Sequence, residues 1–158
     1  MRKTVDKILG YFLAFLMVIM TLDVLWGVIT RYALGGQADW SEELARFLLV
    51  WIGILGTAYA AGQGNHLAIN LIDTKLSTHK RQQLHLFIHA SVLVFAFVVM
   101  VIGGFRLLYI THTLEQLSAA LRVPMALVYA VLPLSGFLII YYKLLAIQNI
   151  RSAGTASS

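Results

Sequence analysis

An acidic and a basic side chain lie within the first and third long apolar runs of this chain, and their residue types are the first to suggest chemistry. Asp23 interrupts the first apolar run, and Arg106 stands near the far end of the third. An ionisable group at such depth is expensive in lipid and needs a partner or a polar cavity. We therefore expect a buried ion pair between Asp23 and Arg106. The alternative is proton or cation coupling by Asp23.

A second charged group follows the first apolar run. It consists of Trp40, Glu42, Glu43 and Arg46. The two glutamates precede Arg46 by four and three residues, which allows ion pairs along one helix. One interpretation is a helix start with its charges in water, where such pairs contribute little. The other is a surface for docking another subunit at the outer membrane face.

Histidines form the third candidate group. His85 and His89 are four residues apart, so both could reach one metal ion from one helix face. A haem held between His66 and His85 on facing helices is a related alternative. Interfacial histidines without a ligand are the simpler interpretation, and we expect neither a metal site nor a cofactor.

Sequence motifs of common enzymes are missing. The chain has no cysteine, which excludes disulfides and thiol chemistry. It also has no P-loop, nucleophile elbow or HExxH motif, so no hydrolase or ATPase site is predicted. We therefore expect no catalytic residues and no enzyme activity.

The composition indicates a membrane protein. Of the 158 residues, 59% are hydrophobic and 12% are charged, whereas soluble domains carry roughly 25% charged residues. A soluble fold of this size could not bury so much apolar surface. The net charge of +5 comes from basic residues at the ends of apolar runs, which fits headgroups better than nucleic acid.

The apolar runs predict the elements that must position these residues. A helix needs about 20 apolar residues to cross the hydrocarbon layer. The sequence thus predicts an all-α integral membrane protein with four transmembrane helices, at about residues 8–30, 41–63, 84–110 and 124–147. Residues 1–150 form one four-helix domain in this interpretation, and residues 151–158 a flexible tail. Residues 65–76 could form a short interfacial helical segment, and the sequence leaves this open.

Lysine and arginine residues predict the orientation. Four of them fall in the segments on the far side from the termini, namely Arg31, Arg46, Arg106 and Arg122, and the other eight on the side of the termini. Because cytoplasmic segments carry the excess of positive charge, both termini are expected in the cytoplasm.

Small residues mark one face of the second span. Gly53, Gly56 and Ala60 follow each other by three and four residues. Such residues let helix backbones approach closely in lipid. They could pack within this chain or against a second protein, and the spacing does not decide between the two.

Several short segments, in this order and spacing, resemble the small membrane subunit of tripartite ATP-independent periplasmic (TRAP) transporters. The resemblance covers residues 5–147 and rests on Arg31-Tyr32, on Trp40-Ser41-Glu42-Glu43-Leu44-Ala45-Arg46 with Trp51, Gly56 and His66, on Ala120-Leu121-Arg122-Val123-Pro124, and on Val128-Tyr129 and Leu132-Pro133.

The resemblance implies a role in transport. Such a subunit lies in the bacterial inner membrane, braces a large membrane subunit and helps to receive a periplasmic substrate-binding protein. Uptake of an organic acid, such as sialic acid or a C4-dicarboxylate, is typically driven by sodium. By position, Glu42, Glu43 and Arg46 match a charged segment at the outer face, which favours docking, and Gly53 and Gly56 match small residues of the same span.

Two other functions remain as alternatives at this point. One is a haem-binding membrane anchor of an oxidoreductase, which would use the histidines. The other is a small proton-coupled exporter, which would use Asp23.

Overall fold

The protein is helical throughout nearly all of the residues that the computed structural model describes, which are 2–33, 35–36, 38–63 and 78–155. We number the helices in chain order. They are α1 (Arg2–Ala33), α2 (Asp39–Gln63), α3 (Thr78–Phe95), a π-helical segment (Ala96–Gly103), α4 (Gly104–Thr113), α5 (Met125–Tyr129) and α6 (Val131–Thr155).

Four helical stretches are long and apolar enough to cross a membrane. They are Lys3–Ala33, Asp39–Gln63, Gln83–Thr113 and Met125–Gln148. The predicted all-α architecture with four spans is thereby confirmed. The interfacial segment considered at residues 65–76 lies outside the described residues. Helix α6 continues to Thr155, past residue 151 where the tail was expected to begin.

The described spans pack in the order α1 on α2, α2 on α6, and α6 on the third span. The core between α1, α2 and α6 contains Leu9, Leu16, Leu48, Leu55 and Val131. On α2 the buried positions include Ser41, Leu48, Leu55 and Gly62, each seven residues after the last. Seven residues are nearly two helical turns, so this set forms one continuous buried face.

Glycines allow the closest approaches between helices. A Cβ at Gly62 would lie 2.8 Å from the ring of Tyr142, and one at Gly104 would lie 2.8 Å from Cδ of Pro133. Gly62 therefore lets α2 approach α6, and Gly104 lets the third span approach α6. The Tyr142 hydroxyl also donates a 2.6 Å hydrogen bond to Asp6, which ties α6 to α1.

The third and fourth spans are not uniform α-helices. The third contains the π-helical segment, in which the wider turn shifts the side chains around the helix axis. The fourth changes from α5 to α6 at Ala130, three residues before Pro133. A proline inside a helix removes one backbone donor, and the interruption falls within the turn that this affects.

Candidate functional site

Glu43 is bound by the backbone of the connection between the third and fourth spans. Its carboxylate accepts hydrogen bonds from three consecutive amides: Ala119 N at 3.0 Å, Ala120 N at 2.8 Å and Leu121 N at 2.7 Å. Successive amides that converge in this way form an anion-binding concavity. The N-terminal part of α2 is thus joined to a loop more than seventy residues away in the chain.

The loop's own hydrogen bonds shape this concavity. Ser118 N donates to Val123 O at 2.9 Å, and Val123 N donates back to Ser118 Oγ at 3.1 Å. Arg122 has a φ of 52°, in the left-handed region that non-glycine residues rarely adopt. The loop therefore turns sharply between these two bonds and directs its amides toward Glu43.

The predicted docking cluster is divided by this arrangement. Glu43 has its hydrogen-bond partners within the chain, whereas Glu42 and Arg46 form an exposed ion pair on the surface of α2. Trp40, in the first turn of the same helix, has 42% of its area exposed. Trp40, Glu42 and Arg46 are accessible to a partner at this end of the bundle.

Asp23 is buried, but its partner differs from the expected one. Ser41 Oγ donates to Asp23 Oδ1 at 2.9 Å and lies 3.2 Å from the Asp23 carbonyl oxygen. The second carboxylate oxygen, Oδ2, is buried without a hydrogen-bond partner among the described residues. Arg106 is exposed on the third span, and within the described part of the chain no ion pair joins it to Asp23. The structure does not bring these two residues together.

The small residues of the second span face away from the other helices that the structure describes. A Cβ built at Gly53 or at Gly56 meets no atom within 4 Å, and Ala60 is exposed. Arg46, Gly53 and Ala60 are spaced by seven residues, as are Glu42, Leu49 and Gly56. We call these six residues the outward face of α2. Its charges lie at one end and its small residues along the remainder.

The candidate histidines lie on one helix. His89 is buried and His85 is partly buried on α3, with ring centroids 6.4 Å apart. His66 lies outside the described residues. Among the residues described, no three metal-binding side chains come together in a group.

Three features of the site were not foreseen. Ser41 was not recognised as a partner of Asp23, although a hydroxyl in the first turn of the next span was a visible signal. The concavity at Ala119–Leu121 has no side-chain signal, because backbone atoms form it. Lys143 was counted among the basic residues that set the orientation, yet it is 1% exposed and its Nζ lies 3.4 Å from Ala61 O.

The fold and site define a multi-pass membrane protein whose polar groups mainly join its own helices. The chain belongs to the family described as tripartite ATP-independent periplasmic transporters, DctQ component, whose family model matches residues 16–152. This family is a component of transporters, so the chain is not an enzyme, and the oxidoreductase anchor is not favoured.

Several named relatives support this assignment. The chain is 31% identical to the sialic acid TRAP transporter small permease protein of Vibrio cholerae over 65% of this chain and 60% of that protein. It is 29% identical to the ectoine TRAP transporter small permease protein of Halomonas elongata over 94% of this chain and 77% of that protein. The Vibrio match spans less than two thirds of that relative.

A longer relative is also similar. The isethionate TRAP transporter permease protein DctMQ of Oleidesulfovibrio alaskensis is 29% identical over 74% of this chain but only 19% of its own length. Most of that protein therefore has no counterpart in the present chain.

Proposed function

We propose that this chain is the small membrane subunit of a TRAP transporter in the bacterial inner membrane, with both termini in the cytoplasm. It braces a large transport subunit along the outward face of α2. Trp40 and the Glu42–Arg46 pair, at the outer end of α2, help to receive a periplasmic substrate-binding protein. The complex takes up an organic acid together with sodium.

The observation that carries this proposal is the open outward face of α2. Glycine lowers helix propensity by about 1 kcal/mol relative to alanine, so glycines in a helix need a packing reason. Gly62 has one within the chain, against Tyr142, whereas Gly53 and Gly56 have open space beside them. Small residues in lipid let another helix approach closely, and a helix of a large membrane subunit would use that space.

The relatives bear on the proposed partner and substrate. This chain matches only about a fifth of the length of the DctMQ relative, whose name is that of a permease. The remaining length of that relative supports a large permease as the partner of this chain. The three relatives are named for sialic acid, ectoine and isethionate. Each compound carries a carboxylate or a sulfonate, which supports a small organic acid as substrate.

A co-purification experiment tests the proposal. The tagged chain is extracted from its native membrane in mild detergent, and the proteins that accompany it are identified by mass spectrometry. We expect one large multi-span protein in roughly equal amount. The Gly53→Leu variant should lose most of that partner, because the larger side chain fills the outward face.

A matched variant separates partner loss from misfolding. Gly103 is likewise exposed on a span, so Gly103→Leu makes the same change on another helix. It should retain the partner, and both variants should insert equally, since leucine favours helices more than glycine does. Equal partner recovery in both variants would exclude the outward face of α2 as the binding surface. The absence of any large partner from the parent would reject the subunit role.

A further inference from the structure

An apolar slot opens between α1 and α6, beside the N-terminal turns of α1. Its volume is about 500 Å³, and its surface is almost entirely carbon. The side chains that form its walls include Val5, Ile8, Phe12, Leu134, Phe137 and Leu138. Ile8 is 65% exposed and Phe137 is 54% exposed, so the slot is accessible from outside the bundle.

A cationic recess adjoins this slot. It has a volume of about 280 Å³ and is formed by Lys3, Thr4, Lys7, Ile8 and Tyr11. Ile8 is common to both cavities. Lys3 and Lys7 are one helical turn apart on the same face, and Lys7 Nζ lies 6.0 Å from the centre of the Tyr11 ring. None of the residues that form the recess is acidic.

We propose that the slot and the recess together bind one anionic glycerophospholipid of the leaflet that surrounds the first turns of α1. Its phosphate lies between Lys3 and Lys7, and an acyl chain passes over Ile8 into the slot. Ile8 and Phe12 are five and nine residues beyond Lys3, which corresponds to about 8–14 Å along the helix axis. This offset places the charged recess at headgroup depth and the slot beside the acyl chains.

Charge complementarity favours a lipid over a helix of another protein. An apolar helix laid in the slot would cover the recess and leave its two ammonium groups without a counter-charge among the residues that form the recess. A phosphate diester meets both of them while its acyl chain fills the carbon-lined slot. Basic residues near a membrane surface attract anionic lipids in just this way.

Trp51 provides a reporter for occupancy of the slot. Its ring centroid lies 6.5 Å from that of Phe12, which is part of the slot wall. The other two tryptophans, Trp26 and Trp40, are replaced by phenylalanine, which leaves Trp51 as the single tryptophan. The full chain is placed in phosphatidylcholine vesicles that contain lipid with brominated acyl chains, because bromine quenches tryptophan only at close range.

Brominated phosphatidylglycerol is compared with brominated phosphatidylcholine. We expect the anionic lipid to quench Trp51 at a lower mole fraction, by up to about fivefold for each lysine. The Lys3→Gln/Lys7→Gln variant should lose this preference. The Arg31→Gln/Arg106→Gln variant removes the same charge far from the recess and should keep it.

Four outcomes would overturn the proposal. Equal quenching by both lipids in the parent would mean ordinary contact with bulk lipid. A preference that survives in the double lysine variant would place the headgroup elsewhere. Absence of quenching by either lipid would mean that a protein segment covers the slot. Loss of the preference on addition of inorganic phosphate would indicate a site for free phosphate.

Discussion

Glu43 and Asp23 are two acidic side chains near the same end of the bundle, and their surroundings differ. Glu43 accepts three backbone hydrogen bonds, which use both carboxylate oxygens. The Asp23 carboxylate accepts one from Ser41, and in the part of the chain that the structure describes its Oδ2 is buried without a partner. Glu43 therefore holds the loop to α2, whereas Asp23 is a point of incomplete hydrogen bonding, which is costly in a buried carboxylate.

The first prediction concerns Glu43. Glutamine has the same shape, but one of its two terminal groups is a donor that cannot accept from the loop amides. Glu43→Gln should therefore loosen the loop and speed hydrogen exchange at Ala119, Ala120 and Leu121, measured by mass spectrometry. Glu42→Gln, one residue away and paired with exposed Arg46, should leave that exchange unchanged. Unchanged protection in Glu43→Gln would show that the hydrogen bonds do not hold the loop.

For individual residues, the sequence predicted fewer contacts than the structure contains. It pointed to Glu42, Glu43 and Arg46 because helical spacing is local, and the exposed Glu42–Arg46 pair follows that rule. The binding of Glu43 depends on the backbone of Ala119–Leu121, whose apolar side chains carry no sign of it. Asp23 was expected to meet an opposite charge, but a hydroxyl one span away is its partner.

Helix α2 has one face packed against other helices and one outward face, and glycine occurs on both. Gly62 contacts Tyr142, whereas Gly56 and Gly53 have open space beside them. The four spans could be predicted because apolar length is a property of each segment alone. Which glycine is covered depends on the neighbouring helices, and the π-helical segment likewise leaves no pattern in the residue types of Ala96–Gly103.

The second prediction compares two alanine substitutions in α2. Gly62→Ala should destabilise the protein by about 1–3 kcal/mol, because the new methyl group displaces Tyr142 and strains its bond to Asp6. Gly56→Ala should stabilise it by up to about 1 kcal/mol through helix propensity. Unfolding of both purified variants in detergent would measure this difference. Two changes of the same sign would contradict the packing described for Gly62.

In the molecule as a whole, side-chain hydrogen bonds tie the helices together at both ends of the bundle. Tyr142 and Asp6 tie α6 to α1 near the terminal side, and Glu43 ties α2 to the loop on the opposite side. Hydropathy could predict four spans but not these ties, because each joins residues far apart in the chain. The orientation expected from the basic residues is a further property of the whole molecule, and it stays a prediction.

The third prediction tests that orientation. Because the chain has no cysteine, single cysteines can be introduced without a background of other thiols. In intact cells made permeable only at the outer membrane, a membrane-impermeant maleimide should label Gly36→Cys and Gln116→Cys. It should label Thr4→Cys and Ser157→Cys only after the inner membrane is broken. The reverse pattern would place both termini in the periplasm.

The contact between Glu43 and Ala119–Leu121 also has a consequence for the order in which the protein is made. The ribosome synthesises the first two spans well before residue 119, so the Glu43 carboxylate exists for a time without its three amides. During that interval Arg46, three residues away on the same helix, is the nearest cation along the chain. The three hydrogen bonds can form only after residues 119–121 have been synthesised, so a late part of the chain is needed to hold the N-terminal part of the second helix.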